Sequence, residues 1–220
     1  MLDIDETSLT RVFDRLQDMY GPLHWWPGET PFEIMVGAVL TQNTAWSNVE
    51  RAIARLKAAD ALSAETILGL PEGEVAELIR PAGYFNVKAR RLRNFCAVYR
   101  DNGGEQGLAA LETHELRALL LSANGVGPET ADDILLYAFH RPVFVIDAYT
   151  RRIGARLGWY AGDEGYETLR QAFEAAIGPD VPAFNQYHAL LVNHGKGVCR
   201  KRPRCGQCCL AGLCPVGTAS

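Results

Sequence analysis

Along most of the chain apolar residues recur three or four positions apart, as in Phe32, Met35, Val36, Val39 and Leu40, or Val49, Ile53 and Leu56. Because 3.6 residues complete a helical turn, that spacing puts them on one face. The pattern predicts helices over 7–20, 46–59, 72–80, 86–101, 114–122, 128–139, 147–157, 163–177 and 182–197, and so an all-α fold. Thr30-Pro31-Phe32-Glu33 marks one further start, with Thr30 as cap, Pro31 in the first turn and Glu33 reaching back to complete a capping box. One stretch reads as a strand, Val143–Ile146, and it is too short and isolated to found a sheet. No internal repeat, low-complexity tract or long linker breaks the pattern.

At 220 residues the chain can bury a substantial core, as one large or two small domains. Its 48% hydrophobic and 22% charged residues are those of an ordinary globular protein. The N-terminus carries no charged-then-apolar leader and no apolar run is long enough to span a membrane, which points to a cytoplasmic protein. A net charge of -4 does not mark a nucleic-acid binder, so any such role must rest on local clusters. Lys196, Arg200, Lys201, Arg202 and Arg204 form one, and Lys88, Arg90, Arg91 and Arg93 another; a solvated helix face is the competing reading of each. Five of the six cysteines lie between 199 and 214, a density that in a reducing compartment points to metal chemistry rather than disulfides.

Gly125-Val126-Gly127-Pro128-Glu129-Thr130-Ala131 is followed by a helix-length run and then by Val145-Ile146-Asp147. The two glycines allow a tight turn with exposed N–H groups, Pro128 suits the first position of a helix, and a helix N-terminus of this kind binds anions. Asp147 would open the next helix, as an N-cap or as a reactive acid. The segment resembles the helix-hairpin-helix, Gly/Pro-rich loop and aspartate of the endonuclease III superfamily of DNA glycosylases. That resemblance implies a two-domain, all-α HhH-GPD fold: a six-helix domain over 26–140 ending in the hairpin, set between 1–25 and 141–220, with double-stranded DNA and an extruded base in the groove between them. It implies that Asp147 acts at the glycosidic bond, stabilising an oxocarbenium-like sugar or orienting a water. It also implies that Gln42, in Leu40-Thr41-Gln42-Asn43-Thr44, fills the gap the base leaves, and that Gly125, Gly127 and Thr130 grip the DNA backbone.

The cysteines are spaced Cys199-x5-Cys205-x2-Cys208-x5-Cys214, with Cys209 spare. Four such thiolates can close around a 4Fe-4S cluster or a zinc ion; zinc modules more often present two close pairs, and this chain has one Cys-x2-Cys. The cluster loop of endonuclease III-like glycosylases shares the last two spacings, has a first spacing one residue longer, and carries a similar basic run. The resemblance therefore implies a 4Fe-4S cluster on Cys199, Cys205, Cys208 and Cys214, with Cys209 as the alternative to Cys208. The segment from Gly195 onward has few large apolar residues and needs such an organiser to fold. Arg200, Lys201 and Arg202, with Lys196 before them, are expected to contact phosphates.

One position departs from the bifunctional endonuclease III pattern. Where those enzymes have the lysine of Gly-x-Lys-Thr-Ala, this chain has Glu129, and a carboxylate cannot form the imine that β-elimination requires. A monofunctional glycosylase leaving an abasic site is expected; Lys196 is the one nearby amine that could substitute. Trp25, Trp26 and Pro27 are the candidate base pocket, an indole face being a platform for a flipped base and attractive to a cationic alkylated purine. The Trp-Trp-Pro, the run Gly37–Thr44, Pro81–Ala89 and Val145–Tyr149 together resemble the 3-methyladenine DNA glycosylase III branch, whose typical member lacks the cysteine loop. The expectation is a monomeric repair enzyme for alkylated purines. A glycosylase for oxidised or mismatched pyrimidines, a non-catalytic DNA-binding iron-sulfur module and a cluster-bearing redox sensor are the alternatives.

Overall fold

A computed structural model describes residues 2–218. The helices are α1 (Glu6–Tyr20), α2 (Pro31–Leu40), α3 (Trp46–Ala58), α4 (Ala64–Gly69), α5 (Glu72–Leu78), α6 (Phe85–Asp101), α7 (Gly104–Ala109), α8 (Thr113–Ser122), α9 (Pro128–Asp133), α10 (Ala148–Leu157), α11 (Tyr166–Ile177), α12 (Val181–Gly197) and α13 (Pro215–Thr218). There is no strand among the described residues. The chain divides into two compact units, Pro27–Arg141 and Met1–Trp26 with Pro142–Ser220.

In the unit Pro27–Arg141, α2 is the central helix. Met35, Val36, Ala38, Val39 and Leu40 are all buried, so it is apolar nearly all round and packs on α3, α6 and α9. Thr30 caps it, accepting from the Glu33 N–H at 3.2 Å. The expected capping box does not close: Glu33 reaches one residue further back to the Glu29 N–H and pairs with Lys57 at 2.9 Å, a cation that outbids the cap's own N–H. The helix expected over 128–139 is α-helical only to Asp133 and widens to a π-helix over Ile134–Ala138, all of it buried. The helix expected over 72–80 ends at Leu78, because Pro81 forces a 3-10 turn at Arg80–Ala82.

α8 and α9 form the hairpin, and a buried ion pair ties them. Arg117 donates through Nε to Asp132 Oδ1 at 2.6 Å and through Nη2 to Oδ2 at 3.1 Å, a two-point fork on a fully buried carboxylate. Gly125 sits in the connecting turn at φ +101°, and a Cβ there would lie 2.2 Å from Arg91 Cγ, so only glycine suits it.

In the second unit, α12 is central: Phe184, Tyr187, Leu190 and Leu191 are buried and the helix packs on α1 and α10. Val143–Ile146 is buried but belongs to no strand or helix. Its donors go to side chains instead, Phe144 N–H to Glu174 Oε1 at 2.9 Å and Ile146 N–H to the Tyr166 hydroxyl at 3.4 Å. Gly195 lets α10 and α12 approach, since a Cβ there would meet the Tyr149 side chain at 2.5 Å. No helix among the described residues is long and apolar enough to cross a membrane.

Candidate active site and DNA-binding elements

In the unit Pro27–Arg141, Gln42 and the hairpin come together. α2 stops at Leu40, Thr41 turns its hydroxyl back to the Gly37 carbonyl at 2.6 Å, and Asn43 takes the left-handed conformation at φ 54° that asparagine tolerates. Between them Gln42 donates to the Gly125 carbonyl at 3.0 Å and to the Thr130 hydroxyl at 3.1 Å. Arg91 donates to the Gln42 side-chain oxygen, so both ends of the amide are fixed. Gly127 is the N-cap of α9 in an ordinary extended conformation, with open space where its Cβ would be; the turn needs glycine at 125, not at 127. Glu129 is exposed in the first turn of α9. Its negative charge opposes the positive helix end that would otherwise attract phosphate.

Two of the four basic residues at 88–93 turn inward. Lys88 is 2% exposed and donates to the carbonyls of Leu40 at 2.9 Å and Ala82 at 2.7 Å, capping the C-terminus of α2. Burial, aided by Arg91, lowers its pKa to about 8. Arg93 turns inward onto the carbonyls of Ile67, Leu68 and Leu70 at the end of α4.

In the other unit, Asp147 is the N-cap of α10 and 8% exposed. Its Oδ1 accepts from the Thr150 N–H at 2.7 Å; its Oδ2 lies 3.9 Å from Nε2 of the buried His188. Burial pushes the His188 pKa down, Asp147 opposes that, and Lys196 adds to it. Asp147 therefore faces an imidazole held toward its neutral form. Lys196, two turns along α12 from His188, sets its ammonium 5.1 Å from the centre of the Trp25 ring, and Trp25 meets Trp26 edge-to-face at 5.6 Å. Both tryptophans are half-buried; Pro27 is exposed. A cation of the protein thus already lies over Trp25.

Cys199, Cys205, Cys208 and Cys214 line one cavity, with Arg156, Val198, Pro203, Arg204, Val216 and Gly217, and Cys209 is not part of its wall. All are free thiols. Among the described residues no three His, Cys, Asp or Glu side chains are drawn close enough to hold a metal ion as they stand. The surroundings of Cys199 nevertheless suit a thiolate ligand, since the Arg156 guanidinium donates to its Sγ at 3.2 Å, whereas Cys208, 3.4 Å from His194 Nε2, has its thiol pushed up by burial. The loop backbone is held by α10. Arg152 donates to the carbonyls of Cys199 and Gly195, and Arg156 to those of Arg200 and Lys201. Arg200, Lys201, Arg202 and Arg204 are exposed.

Arg91, His188, Arg152 and Arg156 were not singled out by the sequence reading as site residues. Helical spacing carried a signal for two of them: Arg152 and Arg156 are four apart, on one face of a helix whose cap is Asp147.

The family description "HhH-GPD superfamily base excision DNA repair protein" matches residues 36–179. The chain belongs to this superfamily. A Methanocaldococcus jannaschii protein, itself only provisionally named a DNA repair glycosylase, is 46% identical over 93% of this chain and 94% of its own length. Endonuclease III of Sulfolobus acidocaldarius is 28% identical over 83% of this chain and 81% of its own. An endonuclease III–DNA complex superposes with a TM-score of 0.84 over 98% of both chains at 22% identity. The 3-methyladenine DNA glycosylase of H. pylori bound to 1,N6-ethenoadenine does so with a TM-score of 0.76 over 88% of this chain and 98% of that one, at 27% identity. The all-α HhH-GPD fold is thus established, and with it a base-excision DNA glycosylase of the endonuclease III superfamily.

Proposed function

We propose that the chain is a monofunctional glycosylase that hydrolyses the N-glycosidic bond of alkylated purines in double-stranded DNA, as a monomer, leaving an abasic site. The observation that carries the reading is the fixation of Asp147. One carboxylate oxygen is held by the Thr150 N–H and the other faces neutral His188, so the group is oriented before substrate arrives. A fixed carboxylate stabilises the cationic character of the departing sugar, or orients the water that attacks it. Glu129 supports hydrolysis over β-elimination, since the hairpin position used for imine formation holds an acid. The Trp25–Trp26 pair supplies stacking surface for the extruded base, and the likeness to the H. pylori 3-methyladenine enzyme supports an alkylated purine. Gln42 is the group assigned to the vacated base stack, with Arg91 holding it until DNA binds.

Cys199, Cys205, Cys208 and Cys214 are assigned as ligands of a 4Fe-4S cluster, in preference to zinc. Their shared cavity and the guanidinium beside Cys199 support the fit. Such a centre supplies covalent cross-links to a segment with little apolar core. Arg200, Lys201 and Arg202, with Gly125, Gly127 and Thr130, are assigned to DNA backbone contact.

A second substrate class, oxidised or mismatched pyrimidines, is the alternative that the sequence resemblance to endonuclease III leaves open. A panel of duplexes carrying 1,N6-ethenoadenine, 7-methylguanine, thymine glycol or a T:G mismatch, heated in alkali after incubation, separates the two. Alkali-dependent cleavage at the alkylated purines is expected. Cleavage confined to the pyrimidine lesions would refute the substrate reading, and tight binding with no excision of any lesion would refute the enzyme.

A further inference from the structure

We propose that His194, oriented by Tyr20, donates a hydrogen bond to Cys208 and so raises the reduction potential of the iron-sulfur centre. The proposal rests on the assignment of that centre to Cys199, Cys205, Cys208 and Cys214 and adds the residues that tune it. His194 is fully buried in the last turn of α12. Its Nδ1 lies 2.9 Å from the hydroxyl of Tyr20, the last residue of α1, and its Nε2 lies 3.4 Å from Cys208 Sγ. A cysteine that ligates a metal is a thiolate with no hydrogen to give, so the hydrogen between the two must sit on Nε2. Full burial keeps the imidazole neutral, and a neutral imidazole carries one N–H, which leaves Nδ1 bare to accept from the tyrosine hydroxyl. Burial, with the charges of Cys209 and Cys208 beside it, raises the Tyr20 pKa to about 12, so that hydroxyl keeps its proton. The series from Tyr20 through His194 to Cys208 therefore has one consistent direction of donation.

A donor aimed at a ligand sulfur draws charge off it, and adding an electron to a centre ringed by thiolates then costs less. Burial pushes the Cys208 thiol up, so its thiolate has the greatest need of a donor. His194 supplies one there, as the Arg156 guanidinium does at Cys199. The same histidine also holds the start of the loop: its carbonyl accepts from the Val198 N–H at 2.9 Å and from the Cys199 N–H at 2.8 Å. Cys209 lies outside the cavity wall, and its carbonyl is held away by Arg15 at 3.3 Å. The histidine contact thus singles out Cys208 over its neighbour as the third ligand.

Wild type, His194→Phe, His194→Gln, Tyr20→Phe and Cys209→Ala, each purified with its metal, are compared by visible absorption, iron and zinc content, and reduction potential in protein-film voltammetry. Phenylalanine keeps a ring in the buried site without a donor. His194→Phe should lower the reduced-to-oxidised ratio at a fixed electrode potential about tenfold, a shift of about 59 mV for one electron. His194→Gln presents an amide N–H and should restore most of the wild-type potential, Tyr20→Phe should shift it in the same direction as His194→Phe but by less, and Cys209→Ala should change neither absorption nor potential. An unchanged potential in a His194→Phe protein with intact absorption overturns the proposal, as does an equal fall in His194→Phe and His194→Gln, which would make the effect one of packing. If His194→Phe cannot hold the centre, Tyr20→Phe decides, and an unshifted potential there overturns it. Loss of absorption in Cys209→Ala would move the third ligand away from the histidine and do the same. Wild type that carries zinc and no visible absorption would remove the cluster assignment and the proposal with it, whereas a cluster whose potential ignores every substitution would remove only the role of His194.

Discussion

Asp147 has one observed job, as an N-cap, and one proposed job, as a catalyst, and a single substitution separates them. As an N-cap it needs an oxygen for the Thr150 N–H, and asparagine supplies one almost as well; as a catalyst it needs a negative charge, which asparagine lacks. Asp147→Asn should therefore melt within about 1 kcal/mol of wild type while excision falls by a factor on the order of 10^3. Equal loss of stability and rate would mean that the residue is only a cap. His188 makes a pH prediction. It is buried with its pKa below that of an unfolded histidine, so as pH falls below about 6.5 the unfolded chain takes up a proton before the folded one does. The folded state then loses stability as the pH falls from 7 toward 5, and His188→Gln should flatten that slope in chemical denaturation. An unchanged slope would show that His188 titrates normally.

Helices carry most of what was legible in the sequence, and their failures have local causes. Long periodic segments such as α6 and α12 lie within a residue or two of expectation, because packing of one apolar stripe decides them. Short helices such as α4 and α7 escaped, since six residues hold too little periodicity to show. Glu33 and Lys88 show the limit of local reading: a cap was diverted by Lys57 and a supposed surface lysine was taken to close two helix ends, both through partners distant in sequence. The cap role of Asp147 was legible from Ile146-Asp147 before a helical pattern, whereas the His188 contact forty-one positions on was not. The hairpin gives the clearest prediction at this scale. Removing Arg117 takes a two-point ion pair away from a fully buried carboxylate, so Arg117→Met should destabilise by about 3 kcal/mol and lower the Tm by roughly 6–12 °C. A shift under about 2 °C in calorimetry would mean the fork is dispensable.

For the whole molecule the charge distribution decides how DNA is met. A net charge of -4 gives no general attraction, and the proposed reading sends binding through the exposed Arg200, Lys201 and Arg202 of the cysteine loop. Substituting Arg200 and Lys201 together by alanine should reduce the slope of log affinity against log salt by about 2, and a slope that stays put would place the DNA elsewhere. That loop hangs from Arg152 and Arg156, on the helix that Asp147 caps. With the proposed 4Fe-4S cluster bound, Cys205→Ser should therefore weaken DNA binding as well as remove the visible iron-sulfur absorption.

Excision of 1,N6-ethenoadenine by wild type, followed in the presence of borohydride with Asp147→Asn alongside, bears most directly on the hydrolytic account. It predicts abasic product that breaks only in alkali, no protein–DNA adduct, and near-complete loss of excision in Asp147→Asn. A trapped adduct, or equal excision by both proteins, would contradict it.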